Sequence, residues 1–177
     1  MRSSLGLCTL CLLMSLPATT QGFQDSLLDR FEGTWVLRGT IAGGEVVHDI
    51  TAEWVVGHQY LRFLEVSRER EAGGELAYEA IVFLGWDEAL GQYACLWLDS
   101  TGGGGLSGQA VMGHAKPSDD TLAFLFVGTD GSVFHTTFAY DQSTDSWEWR
   151  MDAEADGKLE PFSRATMTRR GDRRLGR

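Results

Sequence analysis

The side chains able to do chemistry are few and dispersed: His48, His58, His114 and His135, the downstream cysteine Cys95, and carboxylates such as Glu65 and Asp99 that interrupt apolar stretches. No His-x-His or His-Glu-x-x-His pair occurs, so spacing builds no metal site. His48 falls in phase with Val46, Ile50, Ala52, Trp54 and Val56, on the apolar side of an alternating stretch. There it is either a hydrogen-bonded lining residue or a ligand contact and general base. Glu65 alternates with Leu61 and Phe63. If that face turns inward, a carboxylate enters an apolar interior and its pKa rises; otherwise it is a solvated or paired surface charge. Asp99 shares the phase of Trp97 and would stand at the mouth of an enclosed space. Two inward carboxylates near a histidine would permit acid–base work. Trp54, Trp97, Trp149, Tyr78, Phe124 and Phe126 all fall in strand-like stretches, where aromatics either fill a core or line an apolar ligand site. The run Gly102 to Gly105 lacks the Lys-Ser/Thr of a phosphate loop and opens no helix, so it reads as a hairpin loop or a lid. No Gly-x-Ser-x-Gly elbow occurs, and Ser107 has no helix signal behind it.

Strands must position these groups. Turn residues divide the chain into ten strand-like segments. They run over Thr34–Ala42, Glu45–Val56, Gln59–Arg70, Glu75–Trp86, Gln92–Asp99, Leu106–Ala115, Thr121–Val127, Ser132–Tyr140, Ser146–Ala153 and Leu159–Arg169. Only Ser26–Phe31 suggests a helix. Period-two alternation supports the strands: Trp147, Trp149 and Met151 oppose Glu148, Arg150 and Asp152, and Leu122, Phe124 and Phe126 share a face. The third and fourth segments leave their inward side open. In the fourth, Leu76, Tyr78, Ala80, Val82 and Leu84 share one face, with Ile81 and Phe83 on the other. Short connections pair each strand with its sequence neighbour. Closing the first strand on the last removes the two exposed edges. The expected fold is therefore all-β, a closed antiparallel up-and-down barrel of about ten strands, wide enough to hold one small ligand.

Composition agrees with that architecture. A length of 177 residues suits one domain, an apolar fraction of 43% suffices for a core, and 22 glycines suit many tight turns. Arg2 precedes the uncharged, mostly apolar run Leu5–Leu16, and Pro17, Ala18 and small or polar residues follow. At 12 residues the run is too short to span a bilayer and reads as a signal peptide, cleaved between Ala18 and Phe23. The expected organisation is a signal peptide over 1–22, a barrel over 23–169 and a basic tail over 170–177, in a protein exported to the periplasm or the exterior. Cys8 and Cys11 leave with the signal, so Cys95 stands alone and no intramolecular disulfide is expected. Cys95 is then either buried in a strand as a small apolar residue or a free thiol. The formal net charge is −10, although the stretch from Thr168 to Arg177 carries five arginines and one aspartate. An acidic body repels nucleic acid and anionic lipid. No later apolar run is long enough for a membrane span, and no asparagine offers a glycosylation acceptor.

Gly33-Thr34-Trp35, followed by Gly39, resembles the opening motif of lipocalins and calycins. The resemblance implies that Trp35 plugs one barrel end, with Arg164 or Arg169 from the last strand packed over it as a cation–π contact. A longer pattern comprises Gly57-His58-Gln59-Tyr60-Leu61, Leu84-Gly85-Trp86-Asp87, and Tyr93 to Asp99 with Trp97 near its end. Across Phe31 to Arg169 the order and spacing are similar to the bacterial exported family called domain of unknown function 1579, a lipocalin-like barrel. That family implies a fold and no settled activity, so no catalytic residues carry over. Related haem-binding barrels use a histidine near the chain end. This sequence has none after His135, and no cofactor is expected. The function expected is binding of a small apolar or amphipathic molecule inside the barrel. The alternatives are a hydrolase- or isomerase-type enzyme using His48 with Glu65 or Asp99, and an interaction protein that dimerises through the outer faces of the third and fourth strands.

Overall fold

Ten strands follow one another in the order β1 (Gly33–Ile41), β2 (Gly44–Val55), β3 (Tyr60–Ser67), β4 (Glu79–Asp87), β5 (Gln92–Asp99), β6 (Met112–Ala115), β7 (Thr121–Val127), β8 (Val133–Asp141), β9 (Ser146–Ala155) and β10 (Lys158–Arg169). Each pairs antiparallel with its neighbour, and β1 also pairs with β10, closing an up-and-down barrel. One short helix, α1 (Ser26–Asp29), precedes them. This computed structural model describes residues 23–102 and 112–171. The expected signal peptide, residues 103–111 with most of the glycine run, Leu106 and Ser107, and residues 172–177 of the basic tail lie outside the described residues.

Closure depends on the seam between β1 and β10, where Trp35 faces Arg169, Leu37 faces Met167 and Gly39 faces Ala165. The two chains approach so closely at Gly39 that a Cβ there would stand 2.1 Å from the Arg164 carbonyl oxygen and 2.5 Å from the Ala165 Cα. Only glycine fits without parting the strands.

Most strand boundaries agree with the alternation within a few residues, and the exceptions have local causes. The third strand stops at Ser67 and the fourth begins at Glu79, because an isolated Arg70–Leu76 bridge and a turn at Gly74 (φ 88) take up the intervening chain. Val56 does not share the apolar face of β2. Val56, Gly57 and His58 all adopt positive φ in the turn to β3, and the valine is left 70% exposed. The helix ends two residues before the expected Phe31. Asp25 caps it by accepting from the Leu27 and Leu28 amides at 2.9 and 2.8 Å. The chain is then free to turn Phe31 into the barrel.

That phenylalanine closes one end of the molecule. It is fully buried, stacked on Trp147 at 3.6 Å between ring centroids and edge-on to Phe63 and Phe138 at 5.0 and 5.5 Å. Burying it is worth about 1.5–3 kcal/mol. Trp35 donates through Nε1 to the Phe31 carbonyl at 2.6 Å, and the Arg169 guanidinium lies 3.9 Å from the Trp35 ring. Arg169 also donates to the carbonyls of Glu32 and Arg30 and to Asp145 Oδ2. Of the two arginines considered for this role, Arg169 performs it and Arg164 does not. Ala165, Met167 and Arg169 share the inward phase of β10; Arg164 takes the outward phase, pairs with Asp152 and donates to the Met151 carbonyl. Around the plug, Tyr93 donates to Asp25, Trp54 donates to Asp29, and Arg30 pairs with Asp120 beneath the Tyr140 ring.

Candidate functional site

The plug fills only the lower half of the barrel. Above it the inward side chains of β2, β3, β5, β8 and β9 border a cavity of about 740 Å³. The cavity opens at the end formed by the loops after β1, β3, β5 and β7, since Ala42, Ala77, Thr101 and Gly128 stand at its rim. Its floor is polar. His48, Glu65 and Thr136 are buried there, at 3%, 2% and 1% exposure, beside Trp149.

Register explains the grouping. Ile50 faces Glu65, Glu65 faces Ala80, and Ala80 faces Asp99, so one row crosses β2, β3, β4 and β5 at a single level. Two strand spacings put the Glu65 and Asp99 backbones roughly 10 Å apart, with only the Ala80 methyl between them. His48 lies two residues along β2 from Ile50, which makes it the diagonal neighbour of Glu65. Its Nδ1 stands 2.6 Å from Glu65 Oε1, within hydrogen-bond distance. Tyr78 stacks on the His48 ring at 5.5 Å between centroids. It accepts a hydrogen bond from Trp97 Nε1 at 3.2 Å, which leaves its own proton available.

Burial governs the electrostatics. Removal from water pushes the Glu65 carboxyl above its ordinary range, and the nearby Asp99 adds to this; the His48 bond opposes it without reversing it. Burial raises the Tyr78 hydroxyl far enough to keep it protonated, with the Glu65 and Asp99 charges acting in the same direction. Two further polar atoms at the site, Trp149 Nε1 and Thr136 Oγ1, are buried with no hydrogen-bond partner among the described residues. Neither atom has surface open to the cavity, so each is an unmade hydrogen bond within its wall.

Of the ligand-lining candidates read from the sequence, His48, Glu65, Tyr78, Trp97, Asp99, Phe126 and Trp149 line this cavity. Trp54 and Phe124 do not. Trp54 stands at the closed end, donating to Asp29 and stacked on His58 at 4.1 Å. Phe124 is 1% exposed and packs edge-on against Phe138 in the filled half. Strand phase identifies the inward side and says nothing about depth along the barrel, so both share the right face at the wrong level. Thr136 was missed, although it shares the phase of Phe134 and Phe138; a threonine in an alternating strand carries no signal of its own. Phe162 was missed because a register shift between Pro161 and Ser163 breaks the alternation of β10 just where it meets the rim.

The remaining histidines are dispersed. His114 lies 3.9 Å from Asp87, and His135 lies 3.1 Å from Glu154. No group of three metal-ligating side chains forms among the described residues. Cys95 is fully buried and its thiol is pushed up by desolvation, which suppresses the reactive thiolate. On the outer face of β3 and β4, Tyr60 and Ile81 are exposed, with the Arg62–Glu53 ion pair beside them. No helix among the described residues is long and apolar enough to cross a membrane. In comparisons with known proteins, the chain matches no protein-family model and no curated protein.

Proposed function

We propose that the protein is an exported binder of small apolar or amphipathic molecules, akin to the lipocalin-like barrels its opening motif resembles. The observation that carries this reading is the 740 Å³ cavity, open at one end and walled by Trp97, Trp149, Tyr78 and Phe126 over a polar floor. A volume of that size suits a small organic molecule, and an apolar wall with few polar anchors is the usual make-up of such sites. Native mass spectrometry of the freshly purified protein tests the proposal, together with titration of a neutral fluorophore such as N-phenyl-1-naphthylamine. A co-purifying mass or saturable fluorescence is expected. Absence of both ends the reading.

The His48–Glu65 contact favours a second reading, a hydrolase- or isomerase-type enzyme in which Glu65 orients the imidazole and His48 Nε2 moves a proton on a bound substrate. Turnover of chromogenic esters or enolisable ketones that disappears in His48→Gln, with binding of the fluorophore intact, is the expected result. Turnover unchanged in that variant removes His48 from any reaction.

A further inference from the structure

The charges lining the cavity are of one sign. Glu65, Glu69 and Asp99 contribute carboxylates, and no lysine or arginine lines it among the described residues. A barrel built to hold a fatty acid or another anion needs a cationic anchor. This one holds the opposite. The row Glu65–Ala80–Asp99 presents two carboxylates toward one space, separated by a side chain too small to fill it. Aromatic faces, which attract cations through their quadrupole, border the same space: Trp97 and Trp149 stand 5.5 Å apart at a 50° tilt, and Tyr78 lies over His48.

An acidic pair alone would not define a site. The independent observation is the cavity itself, about 740 Å³, open at one end and walled by Trp97, Trp149 and Phe126. The cavity therefore suits a positive group beside the carboxylates, joined to an apolar body that lies on the aromatic wall. The net charge of −10 draws such a molecule toward the protein before contact.

We infer that the cavity takes a small organic cation, an amine on an apolar or aromatic skeleton, with its ammonium between Glu65 and Asp99 and its body against Trp97, Trp149 and Phe126. This rests on the cavity being a ligand site and names the chemistry it selects. The occupied state ionises Glu65, so binding releases a proton wherever the empty site keeps that carboxyl protonated. The groups that face Glu65 in this exchange are His48 from β2, Asp99 from β5 and Tyr78 from the segment before β4.

Calorimetric titration of matched triplets on two skeletons tests it: tryptamine, 3-ethylindole and indole-3-propionate, then octylamine, octanol and octanoate. The amine of at least one triplet is expected to bind ten-fold or more tighter than its neutral partner, and the carboxylate weakest. Asp99→Asn and Glu65→Gln should each erase most of the amine's advantage over its neutral partner. Asp99 is partly exposed near the rim, so its variant keeps the test valid if Glu65→Gln fails to fold. Equal or tighter binding of the neutral or anionic members overturns the cation assignment and leaves the cavity reading intact. So does binding of N-phenyl-1-naphthylamine with none of the six compounds. If neither the six compounds nor the fluorophore bind, both fall together.

Discussion

His48 and Glu65 place a titratable pair in the interior, and this pair sets how stability responds to pH. Burial raises the Glu65 pKa in the folded chain, so the native state keeps a proton that the unfolded chain has already released. Stability therefore falls as pH rises through that window: the cost is absent below the ordinary carboxyl pKa and complete above the folded one. Glu65→Gln removes the ionisation. Against wild type it should gain stability on the alkaline side of the window and change little on the acid side, measured by urea unfolding from about pH 4 to 8. Asp49, held low by its hydrogen bond to Arg68, and Asp145, held low by Arg169, act in the opposite sense. Their contribution is present at neutral pH and is lost only as pH falls through their depressed pKa values, so the two limbs separate. Removing the imidazole instead leaves Glu65 buried without its partner. His48→Ala should cost about 1–3 kcal/mol at neutral pH in the same assay.

The N-terminal segment and the last strand decide which end of the barrel is shut. Phe31→Ala opens a void beneath the cavity and should cost about 3–5 kcal/mol by denaturant unfolding. Arg169→Ala removes the stacking on Trp35 and the bonds to Glu32, Arg30 and Asp145, for a loss of about 2 kcal/mol. Arg164→Ala removes only an outward ion pair and a pair of carbonyl contacts on the surface, and should cost about 0–1 kcal/mol. This contrast checks which arginine clamps the end. It was half legible in the sequence: the motif around Trp35 called for a late arginine, and only the phase of β10, shifted by its irregularity at Pro161, selects between the two. Gly39→Ala should part the β1–β10 seam, visible as lost cooperativity in thermal unfolding, because the added methyl meets main chain rather than a mobile side chain.

For the molecule as a whole, closure and cavity are linked. A barrel of ten strands encloses more space than its inward side chains fill, and Phe31 with α1 occupies only one half of it. Whatever fills the other half adds to stability by mass action. A ligand at ~100 times its Kd should stabilise the fold by about 2.7 kcal/mol, read as a concentration-dependent rise in Tm. The same ligand should leave the Phe31→Ala cost unchanged if the two halves are energetically independent, a double comparison that needs only the thermal assay.

Alternation along each strand is a local property, and from it the sequence alone determined the all-β class, the number and approximate bounds of the strands, and the inward phase of His48, Trp97 and Trp149. What needed the tertiary structure was everything set by pairing between distant segments. Register brought Glu65, Ala80 and Asp99 to one level, made His48 the diagonal partner of Glu65, and showed that Glu65 faces inward. The insertion of Phe31 from outside the strands decided which inward aromatics became core, as Phe124 did, and which remained wall, as Phe126 and Trp149 did. Depth along a barrel axis is a property of the closed sheet, and no pattern of period two encodes it.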